Sequence, residues 1–195
     1  KAVAAVRERE PAINCPSVGV VGRSNIKRKL DLYDQWDVCK PVRKVVVFYD
    51  TMWKSTEQMA EAILQGAIAE GGPGLEAKLF HVRATTITRL ATEMLDVAAF
   101  AAGSPTLNGT LMPAAADALT YLKGLRPAHK AGFAFGSYGW GRGGPEEVEQ
   151  YLQAMKVELL RPVLKLPYKP SPAGLDECRA AGRLLARHAL KVCPA

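Results

Sequence analysis

No apolar run in this sequence approaches the roughly 20 residues needed to span a bilayer, and no basic-then-apolar leader precedes a small-residue cleavage site. A membrane-spanning chain is therefore not expected. An intracellular setting, cytoplasm or organelle matrix, is the expectation from its scattered thiols. Histidine is scarce: His81, His129 and His188 stand alone, without the neighbours that a metal site or a general base requires. The four cysteines, Cys15, Cys39, Cys178 and Cys193, form no Cys-x-x-Cys pair, so they read as scattered thiols rather than a zinc site. Runs of Lys and Arg interleaved with aromatics are also missing. The formal net charge is +7, yet the first 44 residues hold an excess of five cations and the remainder an excess of two. A nearly neutral body with a basic arm does not fit a nucleic-acid groove.

What is present is a core-forming composition, 48% hydrophobic over 195 residues, enough for one full domain and an arm. The division expected is an arm over 1–43 and a domain over 44–195. The domain is organised around Lys44–Gln65. Val45, Val46, Val47 and Phe48 form a short β-branched run, and from Ser55 the residues Met59, Ala62 and Ile63 recur at helical spacing. The loop between strand and helix, Thr51-Met52-Trp53-Lys54-Ser55-Thr56, puts hydroxyls and a lysine at a helix start, where free N–H groups and the dipole favour an anion. The plainer reading is that Ser55 or Thr56 caps the helix.

The alternation continues. Residues 1–14 suit a turn or two of helix, 15–22 a loop or extended piece, and Ser24-Asn25 cap a helix carrying Ile26, Leu30, Tyr33 and Trp36 on one face. Strands are expected at 45–49, 75–82, 97–102 and 131–135, with a fifth at 158–166 interrupted by proline. Helices are expected at 55–70, 86–95, 113–122, 145–155 and 175–190. Five strands alternating with helices make a parallel sheet covered on both faces, an α/β fold.

In such a sheet, ligands bind beyond the carboxyl ends of the strands. Three unusual loops fall at such ends: 51–56, Gly103–Gly109 and Gly136–Gly144. Together they suit a nucleotide with a planar head, hydroxyls for phosphate and glycine-rich backbone for close approach. Taken singly, Gly103–Gly109 is also an ordinary turn, and Tyr138 and Trp140 are also candidate core aromatics. Gly143 and Gly144 precede Glu146, Glu147 and Glu149, whose charge disfavours phosphate there.

Residues 49–60, 103–109, 121–127 and 135–141 (Tyr-Asp-Thr-Met-Trp-Lys-Ser-Thr-Glu-Gln-Met-Ala, Gly-Ser-Pro-Thr-Leu-Asn-Gly, Tyr-Leu-Lys-Gly-Leu-Arg-Pro and Phe-Gly-Ser-Tyr-Gly-Trp-Gly) resemble the flavodoxin-like domain of the flavodiiron proteins, or A-type flavoproteins. The resemblance covers about 44–190 and implies a flavodoxin-like three-layer sandwich with a five-stranded parallel sheet, strand order 2-1-3-4-5, binding FMN. It implies that Thr51, Met52, Trp53, Ser55 and Thr56 wrap the phosphate. Pro105, Thr106, Leu107 and Asn108 would approach the ribityl chain and ring, while Ser137, Tyr138, Gly139, Trp140 and Gly141 line the ring's other side. Lys54 either adds charge to the phosphate or points to water.

In that family the flavin domain follows a metallo-β-lactamase-like domain with two irons. Residues 11–36 resemble the end of that domain and the linker, with two departures: Val18 stands where an iron-binding histidine is implied, and Gly22 where a tryptophan is usual. An aliphatic side chain cannot ligate iron. The expectation is an FMN-binding electron-transfer domain, with no catalytic residue, metal ligand or diiron catalysis of its own. It would exchange electrons with a redox protein donor or acceptor, and the arm would contact a larger complex or a second copy. Two alternatives stand beside it: an accessory subunit that keeps the fold without redox activity, and an FMN-dependent NAD(P)H:quinone reductase.

Overall fold

The computed structural model describes residues 2–9, 13 and 23–194. The chain divides into two compact units, residues 1–40 and 41–195. In the first, helices Ala2–Glu8 (α1) and Ile26–Asp37 (α2) are tied by Arg7, whose guanidinium reaches Asp31 at 2.6 Å and Asp34 at 2.8 Å. Tyr33 and Trp36 meet edge to face, ring centres 5.9 Å apart. Asn25 is the residue before α2, but it lies in the left-handed region (φ 56°) and its side chain makes no capping bond, contrary to the expected cap. The segment expected as loop at 15–22, with Val18 and Gly22, lies outside the described residues.

The second unit carries the strands Val42–Tyr49 (β1), Glu76–His81 (β2), Val97–Gly103 (β3), Ala131–Tyr138 (β4), Glu158–Leu159 (β5) and Leu164–Pro167 (β6). All pairings are parallel in the order β2-β1-β3-β4-β5, with β6 also bonded to β4. The expected order 2-1-3-4-5 is thus the order observed. β5 and β6 are the two pieces of the fifth strand: β5 pairs with Ala131 and Gly132, β6 with residues 135–138. Pro162, which has no N–H to give a ladder, falls in the gap.

Helices Ser55–Gly71 (α3), Ile87–Met94 (α4), Pro113–Leu125 (α5), Gly144–Ala154 (α6) and Pro172–Val192 (α7) cover both faces. Side chains alternate along each strand, so β1 sends Val45 and Val47 to the α3/α7 side and Val46 and Phe48 to the α4/α5/α6 side. β3 is buried along its whole length, which is why its sequence is an unbroken apolar run rather than an alternating one. Thr86 caps α4 by accepting from the Arg89 N–H at 3.3 Å, and Ser171 caps α7 by accepting from Gly174 N–H. At the amino ends of the strands, buried Lys44 joins Asp96 at 2.6 Å and Glu93 at 3.3 Å. Burial alone would raise the Glu93 carboxyl, but Lys78 and Lys44 outweigh it and hold it below its ordinary value. Among the described residues, no helix is long and apolar enough to cross a membrane.

β4 runs three residues beyond the expected Phe135, through Gly136, Ser137 and Tyr138. The glycine that made this stretch read as loop is required by packing. A Cβ at Gly136 would lie 1.9 Å from the Ser104 carbonyl oxygen.

The same device brings α3 and α7 together. A Cβ on Gly66 would lie 2.0 Å from the Arg179 carbonyl oxygen, and one on Gly182 would lie 1.9 Å from that of Ile63. Gly182→Ala therefore costs stability despite its gain of about 1 kcal/mol in helix propensity, a net loss of about 1–3 kcal/mol in a urea titration. Gly124→Ala in α5, where a Cβ meets nothing within 4 Å, is the control and gains up to about 1 kcal/mol.

Candidate functional site

The carboxyl ends of β1, β3 and β4 lie side by side in register, with Tyr49 opposite Gly103 and Gly103 opposite Phe135. The loops that leave them are consequently neighbours. Backbone bonds stitch them together: Asp50 N–H donates to the Gly103 carbonyl at 3.0 Å, Ser104 N–H to Phe135 at 3.1 Å, and Thr106 N–H to Ser137 at 3.0 Å. Beyond these bonds opens a cavity of about 460 Å³. It is lined by Met52, Trp53 and Ser55 from the first loop, Pro105, Thr106, Asn108 and Gly109 from the second, Ser137–Gly141 from the third, and Tyr168.

The first loop ends at Lys54, the residue before α3, held left-handed at φ 65° with no side-chain cap on the helix. The first-turn N–H groups therefore keep their capacity for an external acceptor. The Thr51 hydroxyl is buried without a partner. Ser55 lines the cavity, but Thr56 does not: its hydroxyl is buried and pairs with that of Ser137 at 2.9 Å, beneath the site. Neither Ser55 nor Thr56 is the helix cap that the plainer reading proposed, because the cap position falls to Lys54.

In the second loop Asn108 and Gly109 both have positive φ, 52° and 80°, and Leu107 and Thr110 exchange two backbone bonds at 2.8 and 3.0 Å. This is a tight hairpin turn. Leu107 does not line the cavity, and its side chain packs on the core under α5 and α6. The third loop divides in function. A Cβ at Gly141 would meet nothing within 4 Å and one at Gly139 only the Tyr168 ring at 3.7 Å, so bare backbone faces the cavity there. Gly143 and Gly144 instead press on the second loop, where a Cβ would lie 2.0 Å from the Gly109 carbonyl oxygen and 2.5 Å from that of Pro105.

The start of α6 is occupied by the chain itself. Gly144 N–H donates to the Thr106 hydroxyl at 3.1 Å, and Gly143 N–H to Glu146 at 3.2 Å. Glu147 accepts from the Leu111 N–H at 3.1 Å and from the Thr110 hydroxyl. Burial would raise the Glu146 carboxyl, but Lys165 at 2.6 Å and the backbone N–H groups of Glu146 itself and of Gly143 keep it below its ordinary value. An anion has no place there, as the acids in the sequence indicated.

Two indoles flank the cavity almost fully in solvent, Trp53 at 84% and Trp140 at 97% exposure. They are not core residues. Tyr138 is the last residue of β4 rather than part of the loop, and the Arg142 guanidinium lies 5.1 Å from its ring centre. Tyr168 went unrecognised in the sequence reading. Its N–H donates to the Tyr138 carbonyl at 2.7 Å and its ring meets Trp140 at a 6.3 Å centre distance. The signal available was its place after the fifth strand, at the same edge of the sheet as the other three loops. Among the described residues, the cavity is lined by hydroxyls, the phenols of Tyr138 and Tyr168, indoles and bare backbone, with no carboxylate, imidazole, thiol or amine.

A doubly wound parallel sheet in this strand order, with its cavity at the carboxyl edge, defines a flavodoxin-like α/β protein. The Flavodoxin family profile matches residues 47–182, and the chain belongs to that family, corresponding to the FMN domain of the flavodiiron proteins. It is 38% identical over 172 residues to a nitric oxide reductase of Moorella thermoacetica, covering 88% of this chain and 42% of that protein. It is 34% identical over 179 residues to the rubredoxin-oxygen oxidoreductase of Megalodesulfovibrio gigas, covering 91% and 44%. Among solved structures, rubredoxin oxygen:oxidoreductase of Desulfovibrio gigas superposes with a TM-score of 0.88 at 31% identity, over 100% of this chain and 49% of that one. The flavodiiron protein of Giardia intestinalis gives 0.84 at 29%, over 98% and 49%. The chain thus spans under half the length of these relatives.

Family membership supplies the cofactor, FMN. The residues present fit it: an uncapped helix start with an unpartnered hydroxyl at one end, and bare backbone with exposed indoles at the other. Among the described residues, no group of three or more His, Cys, Asp or Glu is placed to hold a metal. Val18, on which the missing iron ligand was argued, lies outside the described residues.

The Thr56–Ser137 pair gives a direct test of the site's floor. Thr56→Val leaves the Ser137 hydroxyl buried and unpaired and costs about 1–3 kcal/mol in urea unfolding. Adding Ser137→Ala removes the orphan and recovers most of that loss, since replacing both partners is close to neutral.

Proposed function

We propose that this chain is an FMN-binding electron-transfer domain that exchanges electrons with a redox protein. The observation that carries this reading is the two-ended cavity, with anion-ready backbone and hydroxyls at α3 and exposed flat rings at the far end. Met52, Trp53, Ser55, the Thr51 hydroxyl and the first N–H groups of α3, that of Thr56 included, hold the phosphate. Pro105, Thr106 and Asn108 flank the ribityl chain, with Leu107 anchoring their turn in the core. Ser137, Tyr138, Gly139, Trp140 and Gly141 bound the ring.

FMN supplies reversible electron chemistry when bound; the protein's part is to orient it, exclude water from its inner face and adjust its potentials by stacking and backbone hydrogen bonds. The fully exposed Trp140 marks the side open to a partner. The name of the relative rubredoxin-oxygen oxidoreductase supports a redox protein in that role. Reduction of oxygen or nitric oxide is not assigned to this chain alone, a reading that Val18 supports.

The test is an absorption spectrum of the purified chain before and after adding FMN, with bound flavin quantified after denaturation. Stoichiometric flavin is expected. A chain that takes up none would overturn the reading in favour of an accessory subunit, and rapid flavin reduction by NAD(P)H without a protein partner would favour a reductase. Trp140→Ala should weaken FMN binding by about 1–3 kcal/mol, the scale of a base stacked on an aromatic ring. Unchanged affinity in a fluorescence titration would remove Trp140 from the site.

A further inference from the structure

Asp50 is completely buried, one residue before the loop assigned to a phosphate. A buried carboxylate beside an anion site opposes the ligand unless its charge is cancelled. Its surroundings supply the cancellation. Arg83, on the turn Val82–Ala84 that follows β2, donates from Nε to Asp50 Oδ1 at 2.6 Å and from Nη2 to the Thr51 carbonyl. Thr51 N–H donates to the same carboxylate oxygen at 2.8 Å. One guanidinium therefore grips both the buried charge and the first residue of the phosphate loop. The other candidate cation is less well placed: His81 Nε2 lies 3.6 Å from Asp50 Oδ1 with no hydrogen-bond partner, its ring stacked on Tyr49.

We propose that Arg83 is a positioning residue for the phosphate end of the flavin site, neutralising Asp50 and holding Thr51 in place for the anion. The inference rests on the FMN reading above and goes beyond it, because Arg83 is outside the cavity lining. A purely structural role for the pair is the competing account. The two differ in which ligand they affect. Charge cancellation matters for FMN, which carries a phosphate, and not for riboflavin, which lacks one; a general loosening of the loop weakens both.

Dissociation constants for FMN and for riboflavin, measured by fluorescence quenching on Arg83→Met, Asp50→Asn and the double variant, separate these accounts. Arg83→Met is expected to weaken FMN at least about tenfold, the scale of one charge-assisted hydrogen bond, and to leave riboflavin nearly unchanged. Asp50→Asn in the Arg83→Met background should restore most of the FMN affinity by removing the uncompensated carboxylate. Equal losses for both ligands, or no recovery in the double variant, would overturn the inference. If Arg83→Met does not fold by circular dichroism, Arg83→Lys keeps the charge and gives up the fork. A smaller, FMN-selective loss then supports the inference, and a loss shared by both ligands overturns it. Wild-type protein that binds neither flavin would instead overturn the parent reading, whereas wild-type binding with an indifferent Arg83→Met defeats only this one.

Discussion

Backbone meeting backbone between the loop after β3 and the chain leaving β4 is the constraint on which the site depends. The carbonyls of Ser104, Pro105 and Gly109 lie where Cβ atoms of residues 136, 144 and 143 would otherwise be. These three glycines let the second loop sit against β4 and the start of α6, and the bonds from Thr106 N–H to Ser137 and from Gly144 N–H to the Thr106 hydroxyl close the contact. Loops pinned in this way enter a binding event with their conformational entropy already reduced. The cavity walls are extensions of the sheet rather than free connections.

Electrostatics follows the same geometry. Two of the helix starts at this edge of the sheet, those of α3 and α6, adjoin the cavity loops, yet of these two only that of α3 is left for a ligand. α6 is satisfied by Glu146, the Thr106 hydroxyl and its own backbone, with Glu147 bracing the second loop from its first turn. α3 begins at a left-handed lysine with no side-chain cap. Beneath that loop lies a second layer: Asp50 clamped by Arg83, and Thr56 joined to Ser137. Tyr49 adds to it, its phenol pushed up to about 12 by burial and by its bond to Glu57, so it stays a neutral donor at every working pH. In that layer Asp50 Oδ2 and His81 Nε2 are buried without a hydrogen-bond partner, and the likewise unpartnered Thr51 hydroxyl belongs to the loop itself.

Much of this was legible in residue order. Strand and helix alternation, the buried β3, the proline-broken fifth strand and the three loops could all be read from apolar periodicity and turn residues, because those signals are local. The lining residues that the resemblance implies come together around one cavity, with three exceptions. Thr56 and Leu107 turn inward, the first to a hydroxyl 81 residues away in sequence and the second to the core; Thr51 stays in its loop without lining the cavity. Tyr168 was missed because its relevance depends on β6 lying beside β4, and a strand of four residues carries little pattern of its own. Gly136 and Tyr138 read as loop for the converse reason, since glycine in a strand is explained only by what packs on it.

Residue order by itself determined the fold class, the strand order through the resemblance it carries, and the kind of ligand the loops suit. These depend on spacing along the chain, which sequence records directly. The tertiary structure alone decided which hydroxyls face the cavity and which pair beneath it, which glycines serve a ligand and which serve packing, and that Arg83 reaches Asp50 from a neighbouring strand's turn. Each of those depends on contacts between residues distant in sequence, set by parallel register and loop closure. No local pattern carries that information.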